Sequence, residues 1–135
     1  MTRTAACSCG QLRVTVNGKS GSVTACSCRD CQKSTGSVFG VSALWPKSAV
    51  AAIEGESTVW RRISESGRWV DSHFCPPCGS TLYWDAEALP DMIGISTGNF
   101  ADPNFEPPTY AVWSETQHPW VKFPEGCRVN QKQWG

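Results

Sequence analysis

Trp69-Val70-Asp71-Ser72-His73-Phe74-Cys75-Pro76-Pro77-Cys78-Gly79-Ser80-Thr81-Leu82-Tyr83-Trp84 holds two strand-sized runs, Trp69 to Phe74 and Thr81 to Trp84, separated by a Cys-x-x-Cys-Gly turn. Each run is rich in aromatic and aliphatic residues alternating with polar ones, the period of a half-buried strand. Outward from it, five more runs read the same way: Gln11 to Val16, Val38 to Trp45, Ser57 to Ile63, Met92 to Thr97 and Thr109 to Ser114. Turn signals fall between them at Asn17-Gly18, Ser20-Gly21, Glu54-Gly55, Ser66-Gly67, Leu89-Pro90 and the Pro-rich stretch Ala101 to Pro108. No window of about twelve residues sustains an amphipathic helical pattern. The expectation is a mainly β fold with one or two single-turn helices, near Arg29 to Ser34 or Pro46 to Val50. The tail after Gly126 reads as polar and loosely held.

Length and charge narrow the function. The 135 residues amount to about one domain, expected over 1–135 with a core at about 5–126. Twelve Lys plus Arg balance twelve Asp plus Glu with no charged run. The pI is about 6.7 and the mean hydropathy −0.30. Such a chain lacks the cationic face needed for phosphate backbones or anionic membranes, so no nucleic-acid partner is expected. No apolar stretch approaches the roughly 18 residues of a membrane span, and the first residues lack a secretory h-region, so the expected compartment is the cytoplasm.

Eight cysteines are many for a cytosolic protein, yet fall short of the roughly 8–10% typical of disulfide scaffolds. Seven are clustered: Cys7-Ser8-Cys9-Gly10, Cys26-Ser27-Cys28-Arg29-Asp30-Cys31 and Cys75 to Gly79. A Cys-x-x-Cys turn brings two thiolates close enough to share a tetrahedral zinc, and the glycine after the second cysteine, at Gly10 and Gly79, allows the positive φ of such a knuckle. Structural zinc takes four ligands; catalytic zinc takes three and leaves a position for water or substrate. Cys7 and Cys9 with Cys75 and Cys78 make the closed set, and Cys26, Cys28 and Cys31 the open one.

The competing readings are disulfides, which strained Cys-x-Cys rings disfavour, and two structural zincs, the second completed by His73, His118, Cys127 or an Asp. Cys127 reads as a buried inert thiol, His73 as a half-buried strand residue or a hydrogen-bond partner of the closed site, and His118 as solvated. Seven thiolates around two divalent ions leave excess negative charge, which Arg29 and Lys33 flank; both, with Thr35 and Gly36, are candidate contacts for an anionic substrate.

The order of these clusters, with Gln32 to Phe39, Phe74 to Leu82 and Gly98-Asn99-Phe100-Ala101-Asp102-Pro103, resembles the glutathione-dependent formaldehyde-activating enzyme family, which includes centromere protein V. The likeness runs from about Ala6 to Trp120. It implies an Mss4-like, or β-tent, fold of antiparallel sheets pinned by zinc. It also implies a structural zinc at Cys7, Cys9, Cys75 and Cys78, and a catalytic zinc at Cys26, Cys28 and Cys31. The implied activity is that of a carbon–sulfur lyase making S-(hydroxymethyl)glutathione reversibly from glutathione and formaldehyde. Family members often carry His where this chain has Ser27, and His-Ile where it has Ala111-Val112; both positions are expected to border the open site and to bear on the substrate. The alternatives are a non-catalytic zinc-folded binding module, and a lyase or hydrolase acting on an unrelated small substrate at the same centre.

Overall fold

The computed structural model describes residues 1–133. Strands β1 (Thr2–Ala6), β2 (Arg13–Asn17) and β3 (Val23–Cys26) lead into the helix α1 (Arg29–Thr35). Then follow β4 (Gly40–Pro46), β5 (Val50–Glu54), β6 (Thr58–Ile63), β7 (Trp69–Phe74), β8 (Thr81–Ala86), β9 (Leu89–Ser96), β10 (Tyr110–Val112) and β11 (Arg128–Val129). The mainly β expectation holds, and the two helical expectations fall on α1 and on a 3-10 turn at Lys47–Ala49.

Two sheets form, β1-β2-β5 and β11-β10-β3-β4-β9-β8-β7-β6. The larger one is mixed and not purely antiparallel, because β10 runs parallel to both β3 and β11. A parallel neighbour needs a long connection, and the Pro-rich crossing before β10 supplies one. Leu89 and Pro90 lie inside β9 and not in a turn. They precede the part of β9 that pairs with β4 from Met92 onward, where the missing proline N–H costs no bond to that strand. The tail is also held more firmly than its composition suggests: β11 pairs with β10, and Ser114 N–H donates to Asn130 O at 3.1 Å.

Strand parity separates core from cleft. Val23 and Ala25 of β3, Ala43 and Trp45 of β4, and Ile93 and Ile95 of β9 are buried on one face, and all of these but Ala25 pack in one core cluster with Val14 and Val16 of the small sheet and the preceding Leu12. Their alternates Thr24, Ser42 and Ser96 are paired in register across the sheet. These hydroxyls face the opposite side and line a cleft there.

Gly94 makes the cleft floor possible. It sits between Leu44 and Trp84, and a β-carbon at this position would lie 2.1 Å from the Trp84 ring. The bare backbone therefore lets the indole lie flat over β9, where its Nε1–H donates to Ser42 Oγ at 2.9 Å. Gly94→Ala is expected to cost about 1–3 kcal/mol by overpacking. Thermal melting would show a fall of several degrees, and an unchanged Tm would show that the indole is free to move.

Candidate metal centres and the cleft between them

Two cysteine clusters gather, and they divide as four and three. The sulfurs of Cys7, Cys9, Cys75 and Cys78 all lie within 4.8 Å of one another. Cys9 Sγ stands 3.6 Å from both Cys7 Sγ and Cys75 Sγ. Tetrahedral zinc with bonds of about 2.3 Å would space sulfurs by about 3.8 Å, so the donor set fits such an ion. Cys7 and Cys9 belong to the turn from β1 to β2, and Cys75 and Cys78 to the turn from β7 to β8, so the cluster joins the small sheet to the large one. Gly10 and Gly79 take φ of 82° and 77°, as the knuckle requires. Leu12 N–H reaches Cys7 Sγ at 3.3 Å, and Gln11 Nε2 donates to Cys75 Sγ at 3.1 Å. The Ser80 hydroxyl, with the Ser80 and Cys9 N–H groups, holds the Cys78 thiol down at about 5.

Cys26, Cys28 and Cys31 form the second cluster, with all three sulfurs inside 4.8 Å and no fourth Cys, His, Asp or Glu donor among the described residues. Cys26 ends β3 on the cleft-facing parity, Cys28 caps α1 by accepting the Cys31 N–H at 3.3 Å, and Cys31 lies one turn into the helix. Ser27 between them is buried. Its N–H donates to Val112 O, and its carbonyl accepts from Gln32 Nε2 and Thr116 Oγ1, each at 2.8 Å. That web fixes the loop that carries the sulfurs.

The electrostatics of the trio call for a cation. Hydrogen bonds from Cys26 and Cys31, the Cys31 N–H and the charge of Arg62 hold the Cys28 thiol far below the usual thiol range, against burial. Cys26 and Cys28 drive Cys31 far above that range, and Cys28 pushes Cys26 up as well. Three sulfurs this close share essentially one negative charge unless a soft divalent ion neutralises them.

The three sulfurs line the cleft, of about 1590 Å³, whereas none of the four in the first cluster does. Of the sequence-predicted substrate contacts, Arg29 and Thr35 line the cleft, and Lys33 and Gly36 do not. The Gly36 N–H is occupied in closing α1 onto Gln32 O. Of the positions expected to border the open site, Val112 lines the cleft, whereas Ala111 and Ser27 are buried and do not line it.

The remaining candidates take no part in either cluster. His73 stacks on Tyr83 and meets Asp85 at 2.8 Å, and His118 packs edge-on against Trp120. Cys127 is half-buried rather than buried, and burial raises its thiol. All eight cysteines are free thiols, so the disulfide reading does not hold.

Sequence reasoning missed Arg62, Trp84 and Trp113, which all line the cleft. Trp113 sits in the left-handed region at φ 61° just past β10, a conformation that costs a non-glycine residue roughly 1–2 kcal/mol. Only a half-buried position in an edge strand, an indole over a glycine and a strained backbone mark these three, and none of those signals is readable from sequence spacing.

Residues 2–116 match the sequence profile of the glutathione-dependent formaldehyde-activating enzyme family. The chain belongs to that family. Among solved structures, the crystal structure of a protein from Rhodobacter sphaeroides is similar in fold, with a TM-score of 0.58 and 17% identity over 77% of this chain and 91% of that one. The family match spans both clusters and stops at Thr116, so α1 and the cleft-lining residues from Ser22 to Thr116 fall within it. None of the described helices is long and apolar enough to cross a membrane.

Proposed function

We propose that this family member is a zinc-dependent carbon–sulfur lyase that reversibly joins formaldehyde to the sulfur of glutathione or a related small thiol. The observation that supports it is the asymmetry of the clusters: four sulfurs at the sheet junction, none of which lines the cleft, and three on its wall. Zinc held by Cys26, Cys28 and Cys31 would supply a Lewis-acid position that stabilises an incoming thiolate at neutral pH.

The chain's own residues do the rest. The Ser27 carbonyl web and the Cys31 N–H hold the three sulfurs on one side of the cleft, so an entering thiol meets them in a fixed orientation. Trp84 and Phe39 line the same cleft and displace water from it, and the hydroxyls of Thr24, Ser42 and Ser96, on the same sheet face as Cys26, give it polar groups. In the forward direction the sulfur lone pair forms the new carbon–sulfur bond, the carbonyl π pair moves to oxygen, and the proton given up by the thiol ends on the new hydroxyl. The reverse reaction retraces these steps.

Exchange NMR on glutathione and formaldehyde checks the reading. The zinc-loaded protein is expected to speed interconversion of free and hydroxymethylated glutathione, and an exchange rate equal to that of the uncatalysed mixture would refute it. The binding-module alternative has one observation in its favour, the exposed Val59, Trp60 and Ile63 on the edge strand β6. It leaves the three-sulfur group on the cleft without a role.

A further inference from the structure

Among the described residues, three arginines line the cleft: Arg29, Arg62 and Arg68. Arg29 and Arg68 are exposed, where water and salt screen a charge, whereas Arg62 is half-buried, with its side chain 26% exposed. Its neighbour in the same strand shows how this fold satisfies a structural guanidinium. Arg61 grips Asp71 with two prongs, at 2.7 and 3.0 Å, and Arg3 grips Glu106 likewise at 2.8 and 2.6 Å. Arg62 has a single bond among the described residues, Nη1–H to Asp30 Oδ2 at 3.3 Å. Asp30 lies between Cys28 and Cys31 in the first turn of α1, and its own side chain is 57% exposed. A half-desolvated guanidinium with most of its donors uncommitted, held beside three sulfurs on a cleft wall, has the shape of a carboxylate receptor.

We propose that Arg62 determines substrate specificity: it takes a carboxylate of the thiol in a two-pronged pair, giving up its single bond to Asp30, while the thiol sulfur reaches Cys26, Cys28 and Cys31. The substrate class is then a small thiol bearing a carboxylate, and Asp30 competes for the same guanidinium. The inference rests on the proposed function for the identity of the ligand, but it can be read by binding alone.

The test titrates S-methylglutathione, which cannot react, and its diethyl ester into the metal-loaded protein and follows tryptophan fluorescence. Far-UV circular dichroism and zinc content control for folding in each variant. The wild-type protein is expected to bind the acid more tightly than the ester. Arg62→Gln should lose about tenfold or more for the acid while leaving the ester unchanged. Arg62→Lys should restore part of the difference, since an ammonium supplies charge without the fork. Asp30→Asn should tighten the acid several-fold by removing the competitor.

Equal wild-type affinity for acid and ester, equal losses for both ligands in Arg62→Gln, or loss of discrimination in Arg29→Gln in place of Arg62→Gln would each overturn the assignment. Failure of the underlying reading looks different: the acid-over-ester preference and its loss in Arg62→Gln persist, while no exchange between glutathione and its hydroxymethyl adduct is catalysed.

Discussion

Cys75→Ala is expected to leave the domain unfolded, or folded only at low temperature, with loss of the metal held at the sheet junction. Cys75 is fully buried, belongs to the same core cluster as Cys7, Leu12 and Leu82, and accepts Gln11 Nε2 at 3.1 Å. It therefore lies where the β7–β8 turn meets the β1–β2 turn. Binding a structural zinc contributes folding free energy of about 10–16 kcal/mol in small metal domains, comparable with the whole net stability of about 5–15 kcal/mol of a typical domain. Removing one sulfur also leaves a gap among packed groups and takes one of the two acceptors of Gln11 Nε2, which keeps only its bond to Glu56 O. Circular dichroism, thermal melting and metal analysis measure the outcome. A protein with wild-type Tm and its full metal complement would show that this cluster does not hold the fold together.

Cys28→Ala is expected to do the opposite: keep the fold, lose one metal per chain, and abolish thiol–aldehyde exchange. The trio lies on the cleft wall and not in the core. The direct structural loss is the cap that Cys28 gives α1 through the Cys31 N–H, about 1 kcal/mol for a helix of seven residues. The Ser27 web, which anchors the loop to Val112, Gln32 and Thr116, is left intact. Chemically, the loss is of one of the three sulfurs that would hold the metal on the cleft wall. Zinc analysis should read one ion per chain against two for the parent, with a Tm lower by a few degrees at most. If both cysteine variants kept the fold and both metals, the division of the seven sulfurs would be wrong. If Cys28→Ala unfolded the chain as Cys75→Ala is expected to, the second cluster would be structural and the enzymatic reading would lose its support.

The contrast between the two variants follows from a grouping that is only partly local. Cysteine spacing marks which sulfurs within one turn can share an ion, so the three clusters, and the trio Cys26, Cys28 and Cys31, can be read from the chain. That the Cys7–Cys9 pair meets the Cys75–Cys78 pair is decided by the approach of the β1–β2 turn to the β7–β8 turn. The strands β6, β7 and most of β8 can be read in the same way, because alternation over six residues marks a half-buried strand.

β1, β3, β5 and β11 escape that reading. Thr2–Ala6, Val23–Cys26 and Val50–Glu54 are short and rich in alanine or threonine, and Arg128–Val129 is two residues long. Strand conformation in such segments comes from the neighbours they pair with and not from intrinsic preference. Lys33 and Gly36 show the limit from the other side. Proximity in sequence to the trio suggests a shared cleft, but the turn of α1 carries Lys33 away from it and the helix cap occupies the Gly36 amide.

The amino-acid sequence by itself determined the mainly β class, the three local cysteine clusters and the family likeness, because each depends on residue type and short-range spacing, whereas the meeting of Cys7 and Cys9 with Cys75 and Cys78 is a tertiary contact between the two sheets. Only the tertiary structure decided which cluster faces the cleft, that Val112 borders it while Ala111 and Ser27 do not, and that Arg62 from a distant strand reaches Asp30 between the cysteines. Those outcomes depend on the register of β3 against β10 and β4, and on the long-range approach that brings Arg62 of the edge strand β6 to Asp30 of α1. Pairing between distant segments sets both, through side-chain parity and burial that no local pattern encodes.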